Sequence, residues 1–188
     1  VVGLVVGRGG VVVGVTSEEN LFRLRSDEKT TERIYLPGKG EAVAVVTSSS
    51  GAIFVGTADG EVYRSDDDGG SWVNVSRTPL NYELSSLLID RNGNIVAGTR
   101  GGGVFKLENA GWKRASTGLS SGVIYALAQE EEFLFAGTDD GVYVLSNRNG
   151  QWTKFSDMLT KIPVLSLALR GNKKVYAGTS GFGVVEIR

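Results

Sequence analysis

One pattern, written five times, restricts what this chain can become more than any other property. An apolar triplet closed by glycine, usually followed by threonine, reads Val11-Val12-Val13-Gly14, Ile53-Phe54-Val55-Gly56-Thr57, Ile95-Val96-Ala97-Gly98-Thr99, Leu134-Phe135-Ala136-Gly137-Thr138 and Val175-Tyr176-Ala177-Gly178-Thr179. The marker glycine advances by 42, 42, 39 and 41 residues, and Trp72, Trp112 and Trp152 recur 40 apart. Such spacing along a whole chain marks a single supersecondary unit copied in series.

Every unit divides in the same way. A small residue precedes an aliphatic one at Gly3-Leu4, Ala44-Val45, Ser86-Leu87, Ala126-Leu127 and Ser166-Leu167. A polar turn and the marker triplet follow. Then a glycine turn leads to Leu21-Phe22, Val62-Tyr63, Val104-Phe105, Val142-Tyr143 and Val184-Val185, and a last run starts near the tryptophan. The runs are short, rich in β-branched and aromatic residues, and bounded by turn formers, so they read as strands. No window keeps a helical period, and no helix is expected. Four short strands in about 40 residues match the blade of a β-propeller. The expected fold is all-β: a five-bladed β-propeller with four antiparallel strands per blade. It forms a single domain over residues 1–188, with blades at about 1–40, 41–82, 83–121, 122–161 and 162–188. The innermost strands are expected near 2–6, 43–47, 85–89, 123–128 and 164–168, where small residues suit the crowded axis. The fifth unit reaches only its third strand, so either the last blade is three-stranded or the chain is part of a longer one.

Composition removes several chemistries. The chain has no Cys and no His, which excludes disulfides, thiolate nucleophiles, Cys/His zinc sites and Ser-His-Asp triads. Twenty basic against 21 acidic residues give no basic stripe for nucleic acid. No run of 18 apolar residues offers a membrane span, and no cofactor motif is present. The Gly101-Gly102-Gly103 run lacks the Lys-Ser/Thr ending of a phosphate loop.

In the second unit, Ser65-Asp66-Asp67-Asp68-Gly69-Gly70-Ser71-Trp72 resembles the Asp-box of the BNR repeats, with Ser65, Asp67, Gly69, Ser71 and Trp72 at its five defining positions. Its chemistry is that of a tight hairpin turn: carboxylate to backbone N–H, glycine at positive φ, and tryptophan as anchor. The fourth unit keeps a weaker version with Asn147, Asn149 and Trp152, and the third a shorter one around Trp112. The Gly-Thr-x-x-Gly segments also resemble the propeller repeats of bacterial two-component regulators. The resemblance implies a structural turn set away from the ligand face, and an extracellular or periplasmic setting.

That ligand face is expected at the turns between second and third strands and at the loops joining one unit to the next. Candidate binding residues there are Asp59, Arg77, Tyr82, Arg100, Asp139 and Phe182. Asp59 and Asp139 could form a glycosidase carboxylate pair, but Asp-Gly and Asp-Asp-Gly are ordinary turn sequences. The favoured reading is a non-catalytic binding, scaffold or sensor module for a protein partner or a small ligand. The alternative is a glycan-active or glycan-binding protein of the Asp-box type.

Overall fold

The structure, a computed structural model, describes residues 3–16, 18, 21–25, 30–76, 80–109, 111–146, 150–171 and 174–188. It forms five antiparallel sheets. The first holds β1 (Gly3–Val6), β2 (Val12–Val15), β3 (Leu21–Leu24) and β4 (Glu32–Ile34). The second holds β5 (Ala42–Thr47), β6 (Ile53–Thr57), β7 (Val62–Ser65) and β8 (Val73–Asn74). The third holds β9 (Leu84–Ile89), β10 (Ile95–Thr99), β11 (Val104–Glu108) and β12 (Gly111–Arg114), and the fourth β13 (Ile124–Glu130), β14 (Phe133–Thr138), β15 (Gly141–Ser146) and β16 (Trp152–Lys154). The fifth has three strands, β17 (Val164–Arg170), β18 (Lys174–Thr179) and β19 (Gly183–Ile187). Each sheet is a meander in sequence order, as short hairpin turns require. The five sheets fit five propeller blades. Contrary to the expectation of no helix, Asp157–Leu159 makes one 3-10 turn, while Arg8–Gly10 is a tight turn with Gly9 and Gly10 at φ of 65° and 80°.

The first strands line up as predicted, β1 against β5, β5 against β9, β9 against β13 and β13 against β17. Among the described residues no contact of similar extent joins the fifth sheet to the first, so the sheets form an open arc. The core lies between blades. Val13, Val15 and Leu21 meet Val45, Ile53, Val55, Tyr63 and Trp72. Phe54 and Val62 meet Leu84, Leu87, Ala97 and Phe105, while Val96 and Val104 meet Ile124, Leu134, Ala136 and Tyr143. Phe135 and Val142 meet Val164, Val175, Ala177 and Ile187. Both sides of every middle blade are covered, which is why the marker triplets are apolar at consecutive positions instead of alternating.

The register explains the marker glycine and corrects one of its five placements. Ala44 pairs with Gly56, Ser86 with Gly98, Ala126 with Gly137 and Ser166 with Gly178. In the first blade Gly3 pairs with Val15, not with Gly14. Val15 therefore occupies the marker position there. A Cβ on Gly56 would stand 2.9 Å from Leu84 Cδ2, and one on Gly98 2.6 Å from Ile124 Cγ2. The glycines are small because the following blade presses a branched side chain into them. The first junction inverts these sizes: Val15 stands at the marker, and the strand-opening residue of the next blade is Ala42, in the same core cluster.

Candidate binding face

The Ser65–Trp72 turn joins β7 to β8, on the opposite end of its blade from the β6–β7 turn. Ser65 Oγ donates to Asp67 Oδ1 (2.8 Å) and accepts from the Gly69 N–H (2.8 Å). The Ser71 N–H and hydroxyl donate to the two carboxylate oxygens of Asp67 at 2.8 and 2.7 Å. Asp68 and Gly69 take φ of 55° and 82°, the left-handed geometry that lets the chain reverse around the carboxylate. Hydrogen bonds from the Ser71 N–H, the Ser71 hydroxyl and the Ser65 hydroxyl hold the Asp67 carboxyl down at about 2. The five positions thus serve the turn. Trp72 is buried at the junction with the first blade, where Arg23 reaches across to the Asp68 carbonyl. Trp152 likewise packs against the preceding blade, its Nε1–H donating to the Ala115 carbonyl at 2.7 Å. The tryptophans are therefore buttresses between blades, where the sequence suggested anchors within one. Asn147 and Asn149 lie outside the described residues.

At the other end lie the second-to-third-strand turns and the inter-blade loops. The threonine after each marker glycine builds these turns, a role that sequence reasoning missed although its recurrence was visible. Thr99 Oγ1 donates to the Gly103 carbonyl (2.8 Å) and accepts from the Gly102 N–H (3.1 Å). Thr138 bonds the Gly141 carbonyl and the Asp140 N–H, and Thr179 the Gly183 carbonyl and the Phe182 N–H. Thr57 does the same with Glu61 and also donates to Asp59.

The predicted site residues fall on this end but on separate blades. Asp59 is exposed and lies over the Gly40 backbone of the preceding loop. Beside it a groove of about 200 Å³ is lined by Tyr35, Leu36, Lys39 and Glu41. Tyr82 packs on Gly102 and Phe105, its ring centroid 5.8 Å from that of Phe105. Arg100 pairs with Glu83 at 3.0 Å. Asp139 is exposed, whereas its neighbour Asp140 is tied to Lys154 (2.9 Å), Tyr143 (3.0 Å) and the Lys161 N–H (2.8 Å). The Lys154 ammonium, seconded by that N–H, holds the Asp140 carboxyl at about 2. Arg77 lies outside the described residues. No hydrogen bond or ion pair joins Asp59, Arg100, Asp139 and Phe182 to one another among the described residues, and no cluster of acidic groups there could hold a metal. Glu61 is likewise engaged, accepting from Tyr63 Oη (2.6 Å) and Asn74 Nδ2 (2.9 Å), and burial together with that carboxylate pushes the Tyr63 phenol up to about 12.

The exposed rings are the other feature of this end. Tyr35 is 75%, Tyr82 44% and Phe182 69% exposed, and Met158 projects from the loop between the fourth and fifth blades. The Arg33 guanidinium stacks 5.3 Å from the Tyr35 ring centroid.

No curated protein sequence matches the chain. Among solved structures it superposes on the computationally designed Ika8 protein (TM-score 0.70, 21% identity, 96% of this chain and 56% of that one). It also superposes on YCF48 bound to D1 peptide (0.75, 16%, 98% and 62%). A third match is virginiamycin B lyase from Staphylococcus aureus with quinupristin (0.74, 11%, 97% and 68%). These likenesses concern the fold. The chain spans little more than half the length of the Ika8 protein. A family model describing an HVO_0234-like β-propeller matches residues 4–182, and with its meander sheets and inter-blade cores the chain belongs to that β-propeller family.

Proposed function

We propose that the chain is a non-catalytic recognition module that binds an extended protein segment across its loop face. The observation that carries this reading is the set of exposed rings, Tyr35, Tyr82 and Phe182, distributed over three blades beside Arg33, Arg100, Asp59 and Asp139. Separated aromatic anchors between charges of both signs suit a segment that crosses several blades, because aromatic and arginine side chains dominate such contacts. The threonine-clamped turns carry Asp59, Arg100, Asp139 and Phe182, and fixing those turns before binding lowers the entropy lost on association. The peptide in the YCF48 complex supports the choice of partner class. The Asp-box reading of the Ser65–Trp72 turn fits a structural role at the far end, and an extracellular or periplasmic setting belongs to the same proposal.

A panel of random 12-residue peptides, screened against the immobilised chain, tests it. Binders are expected to lose about tenfold or more in affinity with Tyr82→Ala or Phe182→Ala, the usual weight of an aromatic anchor. Asp67→Ala, at the far end, should leave their affinity unchanged. Peptides insensitive to all loop-face changes, or turnover of fluorogenic glycosides by the chain, would overturn the reading.

A further inference from the structure

Three inter-blade junctions share one device. A socket is formed by the marker glycine and the valine opposite it on the third strand: Gly56 with Val62, Gly98 with Val104, Gly137 with Val142. A knob comes from the residue that opens the inner strand of the next blade: Leu84, Ile124 and Val164. A Cβ on Gly137 would fall 2.9 Å from Val164 Cγ1, and the other two sockets are as full. The socket valines Val62, Val104 and Val142 are consequently 0%, 1% and 1% exposed.

The fifth blade repeats the socket, with Gly178 opposite Val184. Nothing fills it. The three atoms nearest a Cβ on Gly178 all belong to Ser166 of its own inner strand, and Val184 is 74% exposed. Leu165 and Ala168 are exposed on the same strand that carries Ser166. An apolar surface already shaped for a neighbour marks an interaction site.

We propose that this outer face of the fifth blade docks a sixth blade of the same protein, which inserts a branched aliphatic side chain from the start of its inner strand between Gly178 and Val184. The chemistry of the occupant is read from the three filled junctions, which present the same socket to the same kind of residue. The open arc leaves room for it, and three of the solved propellers on which the chain superposes are longer, the chain covering 56%, 62% and 68% of them. The same incoming segment would supply a fourth strand along the outer edge of β19, which has no strand partner among the described residues.

The test joins a second copy of residues 147–188 after Arg188. It offers β16 as the fourth strand and a blade that carries Val164 as its knob. Backbone hydrogen exchange is then read at the outward amides of Val184 to Ile187, the alternate ones that β18 does not already bond. In the unextended chain exchange should be fast at every concentration. In the extended chain it should slow by about tenfold or more, as for a strand sealed into a core. Val164→Asp in the appended copy alone should undo the protection, and so should Gly178→Phe. Fast exchange in the extended chain overturns the proposal. So does protection of the unextended chain that grows with concentration, since a second copy would then be the occupant. Protection in dilute unextended chain would mean that one of the 188 residues' own segments covers the face, and overturns it too. None of these readouts depends on peptide binding, so this proposal and the recognition reading fail separately.

Discussion

Asp67 shows how one side chain can fold a turn without serving a ligand. Its two oxygens accept from Ser65 and Ser71, and the whole turn points away from the exposed rings. Asp67→Ala should cost about 1 kcal/mol, the usual loss for a capping carboxylate, at the low end because the group is solvated. Asp67→Asn should cost less, since one carbonyl oxygen can still accept from the Ser71 N–H. Chemical denaturation measures both. The pH dependence has a definite sign. The folded pKa near 2 lies below the ordinary carboxylate value of about 3.9, so the contribution is complete above that value. It falls away as pH drops toward 2. The stability difference between the parent chain and its Asp67→Asn variant should therefore shrink between about pH 4 and pH 2. Asp140, held equally low by Lys154, should behave alike in an Asp140→Asn series.

Among elements, the glycine turns of the loop face depend on a hydroxyl as well as on glycines at positive φ. Thr99→Val keeps the shape but leaves the Gly102 N–H without its partner in a buried turn, while the Gly103 carbonyl retains only the bond from the Thr99 N–H. A loss of about 1–2 kcal/mol is expected, with faster exchange at Gly102. Thr179→Val, in an exposed turn, should cost clearly less, because water can replace the hydroxyl. This is also the scale at which the sequence was most and least readable. Strand order, the innermost strands and the three-stranded last sheet were legible because each run is apolar, short and set at a constant interval. The marker of the first blade was not. Val11-Val12-Val13-Gly14 has the right composition, and only the pairing of Gly3 with Val15 shows that it lies one residue off. The inter-blade role of Trp152 was hidden for the same reason: its partner, the Ala115 carbonyl, is 37 residues away. The candidate site was legible only as an end of the fold. Turn sequences named Asp59, Arg100, Asp139 and Phe182, but whether such side chains converge is decided by blade geometry, which local composition does not encode.

For the molecule as a whole, stability is a series of pairwise junctions. That makes the size exchange at the first junction testable. Ala42→Leu should cost about 1–3 kcal/mol by overpacking against Val15. Val15→Gly alone should also destabilise, through lost packing and added chain entropy. Together they should be less harmful than their sum, with a coupling of about 1 kcal/mol or more in a double-mutant cycle. An additive result would show that the two residues do not share a junction.

The same exchange has a bearing on how such a chain avoids confusion with itself. Repeats this alike can mate out of turn while the polypeptide is still collapsing, and misassembly is the characteristic failure of repeat proteins. Leu84 offered to Val15 would meet a filled position, and Ala42 offered to Gly98 would leave a void. Blade one is thus poorly suited to accept blade three in place of blade two. Two ordinary side chains, by trading bulk across a seam, give the series a recognisable beginning from which the remaining repeats can be counted off in order.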